Sequence, residues 1–259
     1  MKTRILTCIA AALLVSTSAF AQSNAEPKEG TDTSACNWLF ASGGGPTLLA
    51  WGVSVHGNIC RMEAPAGFEH LTAGSHAEGY VLCSGGTVLA HDLGFSEGGF
   101  APGVTVLAGP SGIGITLRRF TSDGLWQLDQ KFSRDSKEND ITILMTLKRL
   151  GGAVGDVRLS RVADFDIDNT FGDDQQDKSD RGVWARQIGG AGHAVTLSNI
   201  TFATPTSTTL PADGIFDVAC NPTPGANPTT QDGTSHVTAH FGTMGFNNTK
   251  KTTFVYRRQ

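Results

Sequence analysis

The chain has 259 residues, enough for one large all-β domain, and 20 Lys and Arg against 24 Asp and Glu give a formal charge of −4. That balance leaves no basic footprint for a polyanion and argues against nucleic acid as a partner. Charged residues are 17 % of the chain, and 32 Gly with 10 Pro are too few for a low-complexity sequence, so the composition is that of a Gly-rich globular protein.

The N-terminus sets Lys2 and Arg4 before an apolar run from Ile5 to Val15 and ends in Ala19-Phe20-Ala21 before Gln22. This pattern predicts a secretory signal peptide over 1–21, and hence an exported, periplasmic or extracellular chain. The run is too short to span a bilayer, and no later stretch reaches the ~18 apolar residues that a transmembrane helix needs. Residues 22–35 are polar without apolar period and predict a disordered lead, which leaves 36–259 as a β-sandwich domain. Cys8 lies in the signal, so Cys36, Cys60, Cys83 and Cys220 remain, an even count that predicts two disulfides in an oxidising compartment. Of the three connectivities we favour Cys60 with Cys83, on neighbouring apparent strands, and by elimination Cys36 with Cys220.

From Trp38 onward the pattern is short runs punctuated by Gly. Ile113, Ile115 and Leu117 alternate with polar or small residues; Trp126, Leu128 and Phe132 share one face after an Asp123-Gly124 turn. Ile141, Ile143, Met145 and Leu147 alternate with Thr142, Thr146 and Lys148, only Leu144 breaking the rule. Val157, Leu159, Ala163, Phe165 and Ile167 repeat the period of two, as do Val195 with Leu197, Phe216 with Val218, and Phe254 with Tyr256. A helical turn is allowed only around Lys131–Asn139. Residues 203–213 and 221–235, rich in Thr, Pro, Gly and Asn, read as long loops. The class is all-β, an antiparallel sandwich of two packed sheets.

Gly94-Phe95-Ser96-Glu97-Gly98 matches the G-x-S-x-G of a nucleophile elbow in form only, because Gly99 to Gly103 cannot open the helix that the elbow requires. His236 and His240 have a zinc-clasping spacing, but on a strand their rings stand roughly 13 Å apart, so they read as surface histidines. His70 and His76 lie near Glu69 and Glu78, which could gather a metal after folding, but the spacing is not diagnostic and they too read as surface histidines.

Eight aspartates fall between Asp156 and Asp180. On a strand, Asp164, Asp166 and Asp168 project from one face, and three adjacent like charges need compensation. Calcium answers this with oxygen ligands, although Asn169 and Gln175 stand where an EF-hand loop has Gly and Glu. The competing reading pairs the acids with Arg158, Arg161, Arg181 and Arg186, and a third uses two of the carboxylates as acid and base on a sugar. Trp126 is in register with the core, whereas Trp184, beside Arg186 and close to Asp180, is the candidate exposed aromatic for a glycan, against the favoured alternative of a partly buried edge tryptophan.

The segments GNICRMEAPAGFEHL…EGYVLC (57 to 83), TSDGLWQLDQKFS (121 to 133), VRLSRVADFDID (157 to 168) and TTFVYRR (252 to 258) resemble exported bacterial β-sandwich proteins of unassigned function. The long strands followed by an Asp-rich turn also resemble the supersandwich of carbohydrate-active proteins, a likeness of fold only. The reading that follows is a non-catalytic exported protein binding a glycan, a surface ligand or a protein. The alternative is a polysaccharide-acting enzyme using carboxylates of Asp164–Asp180 or Glu63, Glu69 and Glu78.

Overall fold

The computed structural model describes residues 36–71, 77–111, 114–135, 140–170, 174–210, 219–222, 229–230 and 233–259. The signal segment, the polar lead, His76, Ile113, Asp173, Phe216 and Val218 lie outside the described residues. A three-stranded sheet has the order β1 (Cys36–Ser42), β2 (Leu49–Ser54), β3 (Ile59–Glu63). An eight-stranded sheet runs β12 (Asp174–Lys178), β13 (Gly182–Gln187), β14 (Ala194–Asn199), β17 (Thr249–Arg258), β10 (Asp140–Arg149), β9 (Trp126–Asp135), β8 (Gly114–Thr121), β7 (Phe100–Ser111). A six-stranded sheet runs β15 (Thr206–Thr209), β16 (Thr234–Met244), β11 (Val154–Asp164), β4 (Glu78–Ser84), β5 (Thr87–Asp92), β6 (Glu97–Gly98). The strand pairs are antiparallel, as in β10 against β9 and β17.

The period of two fixes which side of each strand meets the core. Leu117 on β8, Leu128 and Phe132 on β9, Ile141, Ile143, Met145 and Leu147 on β10, and Phe254 and Tyr256 on β17 are buried in one cluster with Tyr80, Leu82, Leu159 and Val237 of the six-stranded sheet. Burying each such side chain is worth about 1.5–3 kcal/mol, and a one-residue slip would turn the whole set of a strand to water. Trp126 joins this core and Leu144 lies on the outer face half-buried, as the alternation predicts. Where a helical turn was allowed, Lys131–Asp135 continues β9, and β15 forms within the expected 203–213 loop.

The disulfides differ from the expected pairing. Cys36 bonds Cys60, and Cys83 bonds Cys220. Cys36 and Cys60 sit on the two outer strands of the small sheet and close over Gly52 of β2, where an added Cβ would lie 2.5 Å from Cys36 Sγ and 2.9 Å from Cys60 Sγ. Cys60 and Cys83, by contrast, belong to different sheets. The odd-numbered residues Val81 and Cys83 point away from the main core and form a second apolar cluster with Leu93, Val162, Ala219 and Cys220. The second bond therefore ties residues 219–222 over the outer face of the six-stranded sheet.

This covered face explains a second difference. His236 projects from β16 on the side opposite Val237 and Ala239, and it is buried rather than at the surface, with Thr234 Oγ1 3.2 Å from its Nε2. Burial pushes its pKa down to about 3. The folded state therefore holds it neutral, while the unfolded chain takes up a proton below about pH 6.5. Its stabilising contribution is complete above that pH and is lost as pH falls toward 3. At pH 5 the loss is about 2 kcal/mol. His236→Leu should thus lose less stability between pH 7.5 and pH 5 than the wild type in urea unfolding, by about that amount; equal pH slopes for the two proteins would contradict this assignment.

Candidate functional site

The Asp-rich stretch does not form one face. β11 ends at Asp164, Asp166 leaves the strand with ψ 71°, and Ile167–Asn169 make a 3-10 turn in which Asp168 has φ 61°. A row of three same-face aspartates requires a continuing strand, and the chain instead bends against residues 67–71: the Asp166 N–H donates to His70 O and the Asn169 N–H to Glu69 O. Of the four nearby arginines, Arg158 pairs with one of the eight aspartates, Asp156, and the other three are engaged elsewhere. Arg158 binds Asp156 and the Cys220 carbonyl, Arg161 binds Glu78, Arg181 binds the carbonyls of Asn199, Thr201 and Thr204, and Arg186 binds Gln175. Asp168 Oδ1 instead meets His193 Nδ1 at 2.7 Å, and its N–H lies 3.3 Å from His70 Nδ1. His70 is fully buried, contrary to a surface reading, with Nε2 2.6 Å from the Ala64 carbonyl. Burial holds its pKa below the usual imidazole value despite that contact and the nearby Glu69 and Asp168.

Each of the glutamates offered for an enzyme is held by neighbouring groups of the fold. Glu63 binds Arg61 and the Gly67 N–H. Glu69 accepts from the Met62 and Leu71 N–H groups. Glu78 is buried against Arg161 and Tyr256. Ser96 occupies the turn between β5 and β6, 3.2 Å from His91 Nε2, and is followed by strands rather than a helix, so the elbow architecture is not formed.

Trp184 and Arg186 lie on the outer face of β13, since the alternate residues Val183 and Ala185 are buried. The indole is half-buried; the Arg186 guanidinium stands 5.7 Å from its ring centre and is fixed by Gln175 Oε1 at 2.9 and 2.6 Å. In register, Trp184 is flanked by Asp177 of β12 and Thr196 of β14, and Arg257 of β17 follows in the same row. Gly182, the preceding residue of the same side, contributes no side chain. Asp180 is exposed in the β12–β13 turn and bonds to neither Trp184 nor Arg186. Trp51 and Trp126 are buried and Trp38 packs on the core, so Trp184 is the one tryptophan on an open sheet face.

A further polar cluster, missed from sequence, joins the sheets. The β2–β3 turn, Val55 to Asn58, requires Gly57 at φ 91°, and an added Cβ there would lie 2.3 Å from the Gln130 amide. The turn brings His56 to Asp92 and Glu97, which are partners across β5 and β6. Nδ1 of His56 lies 3.1 Å from Asp92 Oδ2 and 3.3 Å from Glu97 Oε2. Arg119 of β8 donates to Asp92 Oδ2 at 2.6 Å, to Tyr80 Oη at 2.9 Å, and to Glu97 Oε1. Asn58 Nδ2 donates to Asp92 Oδ1 at 2.6 Å. Burial alone would raise the Asp92 pKa, but His56, Asn58 and Arg119 hold it below the usual carboxylate range.

No family model matches the chain, and no curated protein matches its sequence. Among solved structures, the chain is similar to a bacterial glucoamylase complexed with acarbose, at TM-score 0.61 and 13 % identity over 89 % of this chain and 33 % of that one. It is also matched to a provisionally assigned aldose 1-epimerase of Escherichia coli K12, at TM-score 0.44 and 10 % identity over 86 % of this chain and 99 % of that one. The first likeness shows the fold, a β-sandwich that spans about a third of the glucoamylase chain.

Proposed function

We propose that this chain is a non-catalytic, exported carbohydrate-binding protein whose ligand lies across the outer face of the eight-stranded sheet at Trp184. The observation that carries the reading is the half-buried indole on the outer face of β13, flanked in its row by the polar residues Asp177 and Thr196. The apolar C–H face of a pyranose stacks on such a ring, and the row of Asp177, Thr196 and the fixed Arg186 fork supplies hydroxyl partners. Support comes also from the fold, shared with part of a glucoamylase that binds acarbose. The two disulfides fit an oxidising compartment. Among the described residues no helix is long and apolar enough to cross a membrane.

The enzyme reading has less support. A glycosidase pair needs one carboxyl with a raised pKa to act as acid. Of the carboxylates that converge, Asp92 is held low by His56, Asn58 and Arg119, the opposite of what the acid requires. In affinity electrophoresis through gels containing soluble polysaccharides, wild-type protein should be retarded by at least one glycan. Trp184→Ala should weaken that retardation at least about tenfold, ~1.4 kcal/mol, which is within the reach of one aromatic stack. Phe120→Ala, at the far end of the same sheet, should bind as wild type. Equal retardation of Trp184→Ala and wild type would overturn the reading.

A further inference from the structure

Independently of the glycan face, we propose that His56, Asp92 and Glu97 form a binding site for a single divalent transition-metal ion of the zinc type. Among the described residues they are the one group of three potential ligands whose donor atoms all lie within 4.8 Å of one another. The separations match the chemistry. Zinc bonds of about 2.0–2.1 Å in tetrahedral geometry set ligand atoms about 3.3 Å apart, and His56 Nδ1 stands 3.1 and 3.3 Å from the two carboxylate oxygens.

The imidazole nitrogen is enclosed and stands at 3.1 and 3.3 Å from one oxygen of each carboxylate, so it is shared between the two acids. The three residues come from two rigid sources: His56 from a turn locked by Tyr80 Oη and Gln130 Nε2 on its carbonyl, and the two acids from paired strands.

The outer contacts are those that a metal site needs. Asp92 Oδ1 accepts from Asn58 and, at 3.3 Å, from the Gly94 N–H, which fixes the carboxylate plane and presents Oδ2. Arg119 holds Glu97 by Oε1, leaving Oε2 toward His56, and it also touches Asp92 Oδ2, so that oxygen is shared between guanidinium and ion. Such hydrogen bonds orient ligating carboxylates. With a neutral imidazole the group carries two negative charges against one guanidinium, and a divalent ion balances the excess. One nitrogen and two oxygens suit zinc better than calcium, which takes six to eight oxygens, and three protein ligands leave the fourth position open. His56 and Glu97 are 15 % and 24 % exposed, so the site is reached from solvent. The competing arrangement is a protonated His56 that neutralises the cluster by itself.

The test is elemental analysis and thermal melting of chelator-stripped protein after equilibration with Zn2+ at pH 7.5, with Mg2+ and Ca2+ at equal ionic strength. The expected result is one zinc per chain retained through dialysis and a melting temperature raised by zinc alone. His56→Gln and Glu97→Gln should each weaken zinc retention at least about tenfold, with near-wild-type circular dichroism showing that the fold persists. His193→Gln, at a partly exposed histidine outside the cluster, should retain zinc fully. Absence of stoichiometric zinc in the folded wild type, or retention undiminished in folded His56→Gln, would overturn the proposal and leave the imidazolium arrangement.

Discussion

Arg161→Met should destabilise the protein by about 3–5 kcal/mol, because it leaves Glu78 as a buried charge without its partner. Both side chains are fully buried. Arg161 Nε and Nη2 donate to the two Glu78 oxygens at 2.6 and 2.7 Å, and Nη1 lies 3.2 Å from both the Gly57 carbonyl and Gln130 Oε1. Tyr256 Oη donates to the same carboxylate at 2.5 Å, and the Ile59 N–H completes it. One charge pair thus fastens β11, β4, β17, β9 and the β2–β3 turn together, which is also the turn that carries His56. In a domain of this size about 2–4 °C accompanies each kcal/mol, so a fall on the order of 10 °C in melting temperature is expected. Arg161→Met combined with Glu78→Leu should recover most of the loss, since removing both charges removes the desolvation cost as well. A single variant within about 1 kcal/mol of wild type would show that the pair does not fasten the sheets.

Replacing Cys83 and Cys220 together by Ser should cost more than replacing Cys36 and Cys60. In the chain-entropy model the 137-residue separation of the first pair corresponds to about 5 kcal/mol and the 24-residue separation of the second to about 3 kcal/mol. The first also releases residues 219–222, whose Ala219 carbonyl accepts from Ser160 and whose apolar cluster covers the outside of β4 and β11. Urea unfolding of the two double variants distinguishes them. A larger loss for the Cys36–Cys60 pair would mean that the cover over the six-stranded sheet is held by its packing alone.

The all-β class and the inward sets of β8, β9, β10 and β17 were legible because the side-chain period of a strand is two and each buried face is continuous. The same alternation holds a signal for the polar interior. Arg119 follows Ile115 and Leu117 in register, Gln130 stands between Leu128 and Phe132, and Arg161 between Leu159 and Ala163, so each occupies an inward position where a charge or amide needs a partner. What the sequence does not carry is which strands face one another. The partners of Arg161 and Arg119 are 83 and 27 residues away in Glu78 and Asp92, and His56 reaches its acids only because a hairpin of the small sheet enters between the large ones. The disulfide pairing was opaque for the same reason, since Cys60 and Cys83 are neighbours along the chain but belong to different sheets. In the Asp-rich stretch the period was extrapolated past the point at which β11 stops. Trp184 could be placed on the outer face from Val183 and Ala185, while its row of Asp177 and Thr196 needed the sheet order.

The glycan-binding account is tested most directly by the indole N–H resonances of the four tryptophans in a two-dimensional nitrogen–proton spectrum, recorded while adding an oligosaccharide from the polysaccharide that retards the protein. The account predicts that one indole signal shifts saturably with ligand, that it is the signal missing in Trp184→Phe, and that the signals of buried Trp51 and Trp126 stay in place. A saturable shift confined to another tryptophan, or binding with the Trp184 signal unmoved, would contradict it.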